Sequence, residues 1–248
     1  VKCLLNITIV HRSKSMKLCS QIKSGIAVMV LSVISTATLA NESKISLDNV
    51  EKTGKVETTK GDVEIFKSVN IPSDRRAIRY FFASDCPYSM KYDQTMKKWG
   101  ETLPKPLKFV RVPVITERAE SAYSAVAYYT VLRIMPNRIN DFQLQMYSLV
   151  QEEKKSLLDF KTYAEAFYRI GGDVSKFAKE YDNIANAKLI NNASILGSKY
   201  QVSHTPTIGV GGKYSFTSEV ISPNTGDIIH LSNVMVSKYI SENGLPKK

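Results

Sequence analysis

Cysteine, histidine and tryptophan are scarce in this chain of 248 residues, which contains three, three and one of them. Three cysteines are too few for a disulfide-stapled miniprotein or for an all-cysteine zinc site. The hydrophobic fraction of 43% and the charged fraction of 23% disfavour disordered, collagen-like and coiled-coil chains. The length is enough for one large domain or two modest ones with a substantial core.

Acidic side chains are absent from the first forty residues, which carry five basic ones. A short apolar stretch over 26–34 follows the basic residues, and small residues fill 35–40. This order is typical of a secretory signal peptide, predicted here over 1–40 with cleavage after Ala40 or Ala37 and a start at Met16. The alternative is an N-terminal membrane anchor, although the apolar stretch is shorter than a span of about 20 residues.

Removal of residues 1–40 would change both the charge and the cysteine content. The formal charge of +11 suggests nucleic acid, but without this segment 29 basic residues face 23 acidic ones, which gives +6. We therefore expect no nucleic-acid partner, and no stable membrane span after cleavage. Cys3 and Cys19 would leave with the signal, so Cys86 would be the single thiol of an exported protein. Such a thiol is either buried and inert or present for its reactivity.

Apolar periodicity divides the rest of the chain into an α/β domain and an inserted helical block. Residues 41–60 are polar and predict a loose N-terminal arm. The predicted domain is discontinuous, over 61–116 and 201–248, and the predicted all-helical insertion covers 117–200. Within these limits we expect strands over 63–66, 79–83, 107–115, 207–210 and 214–216, and helices over 87–99, 119–135, 141–151, 156–170, from 173 onward, 185–200 and 228–240.

Cys86 lies between a predicted strand and a predicted helix that begins at Pro87. The free N–H groups and the positive dipole end of a helix favour a negative charge there, and the thiolate is the nucleophilic form of cysteine. Asp85 would either oppose the thiolate or cap the helix. His204 would either lie near the sulfur or be an exposed loop histidine, and the sequence leaves both readings open.

Two segments resemble a known family. Residues 81–89, Phe-Phe-Ala-Ser-Asp-Cys-Pro-Tyr-Ser, resemble the active-site segment of exported DsbA-like disulfide oxidoreductases of the thioredoxin fold. Residues 202–208, Val-Ser-His-Thr-Pro-Thr-Ile, resemble the family's cis-proline loop. The 120 positions between Cys86 and Pro206 suit members whose sheet is interrupted by a helical domain.

The resemblance implies an α/β thioredoxin-like fold with an inserted all-helical domain, and it implies roles for individual residues. Cys86 would be the attacking thiolate, and a cis bond before Pro206 would place Thr205 against the sulfur. Pro87, Tyr88, Thr205 and His204 would contact the substrate. The family often buries an acid beneath the cysteine, and Glu64 is the best-placed strand acid.

Ser89 departs from the family, because the second active-site cysteine would fall there. A single thiol can form a mixed disulfide, but its release needs another thiol, either a substrate cysteine or a small thiol such as glutathione as co-substrate. Ser89 would assist by donating a hydrogen bond to the Cys86 thiolate. We therefore predict a monothiol oxidoreductase or isomerase that acts on exported proteins with cysteines and works with a redox partner protein. No other cofactor and no metal are expected, because Cys86, His204 and His230 have no ligand spacing.

Two alternatives remain open. The fold could serve as a non-catalytic chaperone or binding module for envelope assembly, with Cys86 incidental. The serine at position 89 could also be a deliberate replacement that traps substrates.

Overall fold

The structure is a computed structural model, and it describes residues 55–58, 61–220 and 225–246. The predicted signal peptide, with its start and cleavage sites, lies outside these residues, as does most of the predicted N-terminal arm. The strands are β1 Lys55–Thr58, β2 Gly61–Glu64, β3 Lys67–Ser68, β4 Ala77–Phe82, β5 Lys108–Pro113, β6 Thr207–Val210 and β7 Tyr214–Thr217. The α-helices are α1 Pro87–Gly100, α2 Ala119–Ile134, α3 Ile139–Tyr147, α4 Phe160–Arg169, α5 Val174–Tyr181, α6 Ile184–Lys199 and α7 Thr225–Asn243.

The first two strands form an antiparallel hairpin and a sheet of their own, with Lys55 opposite Glu64 and Thr58 opposite Gly61. The prediction of a loose arm up to residue 60 is therefore wrong for residues 55–58. The strand predicted over 63–66 is also wrong in its limits. Backbone hydrogen bonds between paired strands do not require an alternating apolar pattern, so nothing in this polar segment indicated β1.

The central sheet has the strand order β3-β7-β6-β4-β5. Strand β4 is parallel to β5 and antiparallel to β6, with Tyr80 opposite both Arg111 and Ile208. All residues of β4 except Arg79 are buried, so both faces of this strand are covered. Strand β5 ends at Pro113 rather than at residue 115, the predicted limit, since proline cannot donate to a ladder.

Helix α1 begins at Pro87, where the missing N–H of proline would have no helical partner anyway. Its buried face contains Tyr92, Met96 and Trp99, at the predicted helical spacing. The helix ends at Gly100, where an added Cβ would lie 2.5 Å from Phe109 on β5. The predicted helix over 87–99 is confirmed. Cys86, the residue before it, lies between the carboxyl end of β4 and the start of α1.

Helices α2–α6 occupy the chain between β5 and β6, and we call this segment, Ala119–Lys199, the helical insertion. Its predicted helices are confirmed with small shifts in their ends. Helix α4 begins at residue 160 rather than 156 because the Asp159 side chain caps it by accepting from Lys161 N–H. Asp173 and Asn183 cap α5 and α6 in the same way. Helix α3 continues into a π-helical turn over Ser148–Glu152.

A tight hairpin and α7 complete the fold. Gly211, Gly212 and Lys213 join β6 to β7, and Lys213 N–H donates to the Val210 carbonyl at 2.9 Å. The two glycines have left-handed φ of 57° and 66°, which suit the centre of a tight hairpin turn. A Cβ on Gly212 would lie 2.0 Å from the Ile71 carbonyl oxygen, so the turn has no room for a side chain. Among the described residues, no helix has both the length and the apolar character needed to span a membrane.

Candidate active site

Cys86 occupies the N-cap position of α1, and its backbone is extended. A turn precedes it, in which Cys86 N–H donates to the Ala83 carbonyl at 3.2 Å. The Cys86 carbonyl then accepts the first bond of the helix from Met90 N–H at 3.1 Å. The side chain is partly exposed and forms no disulfide. The thiol therefore lies at the carboxyl end of β4 and at the start of a helix, and solvent can reach it.

The loop before β6 approaches the sulfur. The Thr205–Pro206 peptide bond is cis, and the Cys86 thiol donates to the Thr205 carbonyl at an Sγ–O distance of 3.0 Å. Pro206 is buried, and its carbonyl accepts from Ser218 N–H at 3.3 Å. Two segments that are 119 residues apart in sequence thus meet at the thiol.

Ser89 lies one turn into α1 and is fully buried. Its hydroxyl oxygen accepts from Ala83 N–H at 3.2 Å, and its carbonyl accepts from the Tyr80 hydroxyl at 3.1 Å. Within the described part of the chain, no hydrogen bond joins Ser89 Oγ to Cys86 Sγ. In this structure the serine stabilises the turn before Cys86 rather than the sulfur itself.

A cavity of about 620 Å³ opens beside Cys86. It lies between the end of β5, the start of α2 and the loop that contains Thr205, and apolar surface dominates its walls. Tyr88 is at its edge and is 52% exposed. His204 and Thr205 line it as well, whereas Pro87 is exposed beside Cys86. The structure therefore brings the predicted substrate-contact residues to one region.

Ionisable side chains border this cavity in two pairs. Asp85 accepts from Arg118 at 3.0 Å, and it does not cap α1, which has no side-chain cap. The expectation that Asp85 caps the helix is wrong because Arg118 draws the carboxylate toward α2. His204 is exposed and pairs with Glu219 at 3.2 Å. Of the two readings of His204, the structure favours the exposed loop histidine.

A buried ion pair lies one helical turn beyond Ser89. Asp93 on α1 accepts from Arg111 on β5 at 2.6 Å, and Arg111 also donates to Asn140 on α3. Burial raises the pKa of the Asp93 carboxyl, although Arg111 opposes this shift. Burial, with Asp93 nearby, also raises the pKa of Tyr80 well above its ordinary value, so its hydroxyl remains a neutral donor to Ser89.

Glu64, the acid expected beneath the cysteine, is in the separate hairpin, and its side chain is outside the described ones. The buried acid on α1 is Asp93, which the sequence analysis missed. A signal was available, because an arginine interrupts the apolar strand 107–115 and a buried arginine needs a partner. By contrast, no local pattern marked Ser124, Gln143 or Gln151, which contact the loop before Cys86 from the helical insertion.

Relatives named as thiol:disulfide interchange proteins match more than half of the chain. No family model matches the chain. The chain is 26% identical over 157 residues to the thiol:disulfide interchange protein DsbA of Bordetella pertussis, which covers 62% of this chain and 73% of that protein. It is also 26% identical to the DsbA of Pseudomonas syringae pv. tomato, over 65% of this chain and 74% of that one.

Solved structures show the same architecture. The crystal structure of Pseudomonas aeruginosa DsbA matches with a TM-score of 0.64 and 21% identity over 71% of this chain and 93% of that one. This match confirms the predicted thioredoxin-like fold with a helical insertion. Together, the relatives and the structural neighbours support a place for this chain in the DsbA-like thiol:disulfide interchange family.

Proposed function

We propose that the protein is an exported thiol–disulfide oxidoreductase or isomerase that works through the single thiol of Cys86 on disulfides of secreted or envelope proteins. The observation that supports this most directly is the partly exposed Cys86 at the start of α1, 3.0 Å from the Thr205 carbonyl. The relatives named DsbA support disulfide exchange as the reaction class. Serine at position 89 restricts the mechanism to one thiol.

The reaction has two balanced exchange steps. The Cys86 thiolate attacks one sulfur of a substrate disulfide, forms a mixed disulfide and expels the other sulfur as a thiolate. A second thiolate then attacks the mixed disulfide and restores Cys86. If this thiolate is another cysteine of the substrate, the net reaction is isomerisation. If it is glutathione, the product is a glutathionylated substrate, and a second glutathione would complete reduction.

Substrate binding would use the region between Tyr88 and the Pro206 loop. An extended substrate segment would lie along Thr205, with Pro87, Tyr88 and His204 beside it. A redox partner protein would reach Cys86 from the same open side. The basic and apolar segment over 1–40 supports export, which a fractionation experiment with the full chain would test.

The test is a trapping experiment on the purified protein. A cysteine peptide blocked as a disulfide should form a mixed disulfide with Cys86, identified by mass spectrometry of the peptide that contains this residue. Cys86→Ala should abolish this adduct while keeping the fold. The wild-type adduct should persist until glutathione is added. Release of the peptide without any added thiol would contradict the monothiol mechanism.

Ser89→Cys provides the matched comparison. A thiol one turn after Cys86 should resolve the mixed disulfide internally, so the peptide should leave without glutathione. If Ser89→Cys and wild type depend equally on glutathione, residue 89 does not determine the mechanism.

A binding module is the second candidate, and the cavity of about 620 Å³ beside the exposed Tyr88 favours it. In this case Cys86→Ala should still prevent aggregation of an unfolded client that has no cysteines. Loss of protection in Tyr88→Ala but not in Cys86→Ala would identify a binder. Loss of this protection in Cys86→Ala would exclude a binding module that works without the thiol.

A further inference from the structure

Side chains of the helical insertion bind the loop that contains Cys86. The Gln151 amide donates to the Ser84 carbonyl at 2.8 Å and to the Cys86 carbonyl at 3.1 Å. Both contacts are carbonyl oxygens, so only the NH2 side of the amide fits here, and its two hydrogens match the two acceptors. Gln143 donates to Ser84 Oγ at 3.2 Å, and Ser124 shares a hydrogen bond of 3.0 Å with the same oxygen.

A local change of helix type places Gln151 at this loop. The turn over Ser148–Glu152 is π-helical, with Glu153 N–H donating to the Ser148 carbonyl five residues earlier. Such turns are rare in proteins, and those that occur are often found at functional sites. An α-helical continuation of α3 would rotate Gln151 away from its present direction, because each residue of an α-helix turns by about 100°.

We propose that Gln151 is a positioning residue for Cys86: its amide holds the carbonyls of Ser84 and Cys86 and presents hydrogen-bond donors, rather than acceptors, to the backbone of the residue that carries the thiol. The inference rests on the proposed role of Cys86 as a nucleophile. The Cys86 carbonyl accepts from both Met90 N–H and Gln151, which fixes its direction at the start of α1. The polarity of residue 151 should therefore influence how readily the thiol ionises.

Other ionisable groups also border this site. Asp85 and Arg118 pair on the insertion side, and His204 and Glu219 pair on the Pro206 side. Glu117 also lines the cavity. These groups remain the same in variants of residue 151, so a change in thiol reactivity can be assigned to that residue.

The test is a series of substitutions that change charge in opposite directions. Gln151→Glu places an acceptor with a negative charge at the two carbonyls, Gln151→Met removes the donor, and Gln151→Lys replaces it with a cation. The pH dependence of Cys86 alkylation is measured on the full chain by mass spectrometry of the Cys86 peptide, which separates it from Cys3 and Cys19. The midpoint pH of alkylation should be highest in Gln151→Glu and should decrease through Gln151→Met and wild type to Gln151→Lys, over about 1 to 2 pH units in total.

The same three substitutions at Gln145 are the control. Gln145 is a partly buried residue of α3, and no hydrogen bond of its side chain is described. Its variants should keep the wild-type midpoint. Equal midpoints in the Gln151 series, or shifts of the same sign for Glu and Lys, would overturn the inference. If Gln151→Met fails to fold, the contrast between Gln151→Glu and Gln151→Lys still shows the direction in which charge at residue 151 moves the alkylation midpoint.

Failure of this inference and failure of the proposed function have different signatures. Shifted alkylation midpoints without any mixed disulfide would contradict disulfide exchange but support the role of Gln151. Mixed disulfides with unchanged midpoints would contradict the role of Gln151 alone.

Discussion

On one side of Cys86, Gln151 donates to backbone carbonyls of the loop, and Ser124 and Gln143 bind the Ser84 hydroxyl. On the other side, the Thr205 carbonyl contacts the sulfur. The insertion side extends into a buried layer that contains Arg111, whereas the Pro206 side is lined by exposed residues such as Tyr88 and His204. One side therefore fixes the loop that carries the thiol, and the other remains available for a substrate. Substitutions on the insertion side should thus affect stability, and those on the Pro206 side should affect substrate capture.

The largest effect on stability is expected for Arg111→Met. This change leaves the buried Asp93 carboxylate without its partner, which typically costs about 3–5 kcal/mol of unfolding free energy. Denaturant unfolding measures the loss, and Arg138→Met, in the more exposed pair with Asp141, is the control with little effect. Arg111→Met combined with Asp93→Leu should recover part of the loss. A single-variant loss below about 1 kcal/mol would contradict this assignment.

A smaller effect is expected for Ser84→Ala. The change removes the oxygen that contacts Gln143 and Ser124, so buried polar groups lose a partner, at a cost of about 1–3 kcal/mol. Thermal or denaturant unfolding measures it against Ser198→Ala, an exposed serine of α6. If both variants unfold alike, the network does not hold the loop.

On the Pro206 side, Tyr88→Ala should leave the unfolding free energy within about 1 kcal/mol, because the ring is half-exposed. Mixed-disulfide formation with a peptide should slow by roughly five- to tenfold, the equivalent of about 1 kcal/mol of lost contact. A small disulfide probe should react as with wild type. Tyr168→Ala, at a site 70% exposed on α4, is the control. Equal slowing for peptide and small probe would place Tyr88 outside substrate recognition.

The smallest effect is expected for Arg169→Met, which breaks exposed ion pairs of the helical insertion with Glu153 and Glu165. Hydrogen bonds from Arg169 lower the pKa of both carboxyls below 4.5. Their contribution is therefore complete above the unfolded pKa and is lost as the pH falls through the folded one. The difference in melting temperature between wild type and variant should shrink toward acidic pH. A melting-temperature difference that grows toward acidic pH would contradict the stabilising role of these ion pairs.

Sequence reasoning located the helices well, because each depends on local apolar spacing and on caps a few residues away. The predicted helix over 87–99 is an example, with Tyr92, Met96 and Trp99 on its buried face. The strand β1 was missed, because its polar residues are ordered by pairing rather than by pattern. Of the two alternatives for Asp85, helix capping is wrong, and the ion pair with Arg118 was not expected because Arg118 lies beyond an intervening helix and strand.

The residue order alone was enough to place Cys86 between a strand and a helix, with Ser89 one helical turn later. These features depend on residues within one or two helical turns of Cys86, so they can be predicted from the local sequence. Which polar groups meet at Cys86 depends on the tertiary structure: Thr205, 119 residues away, contacts the sulfur, and Gln151, 65 residues away, contacts the backbone carbonyl. Their contacts follow from how the helical insertion folds back on the sheet, and no periodicity encodes a pairing over such distances.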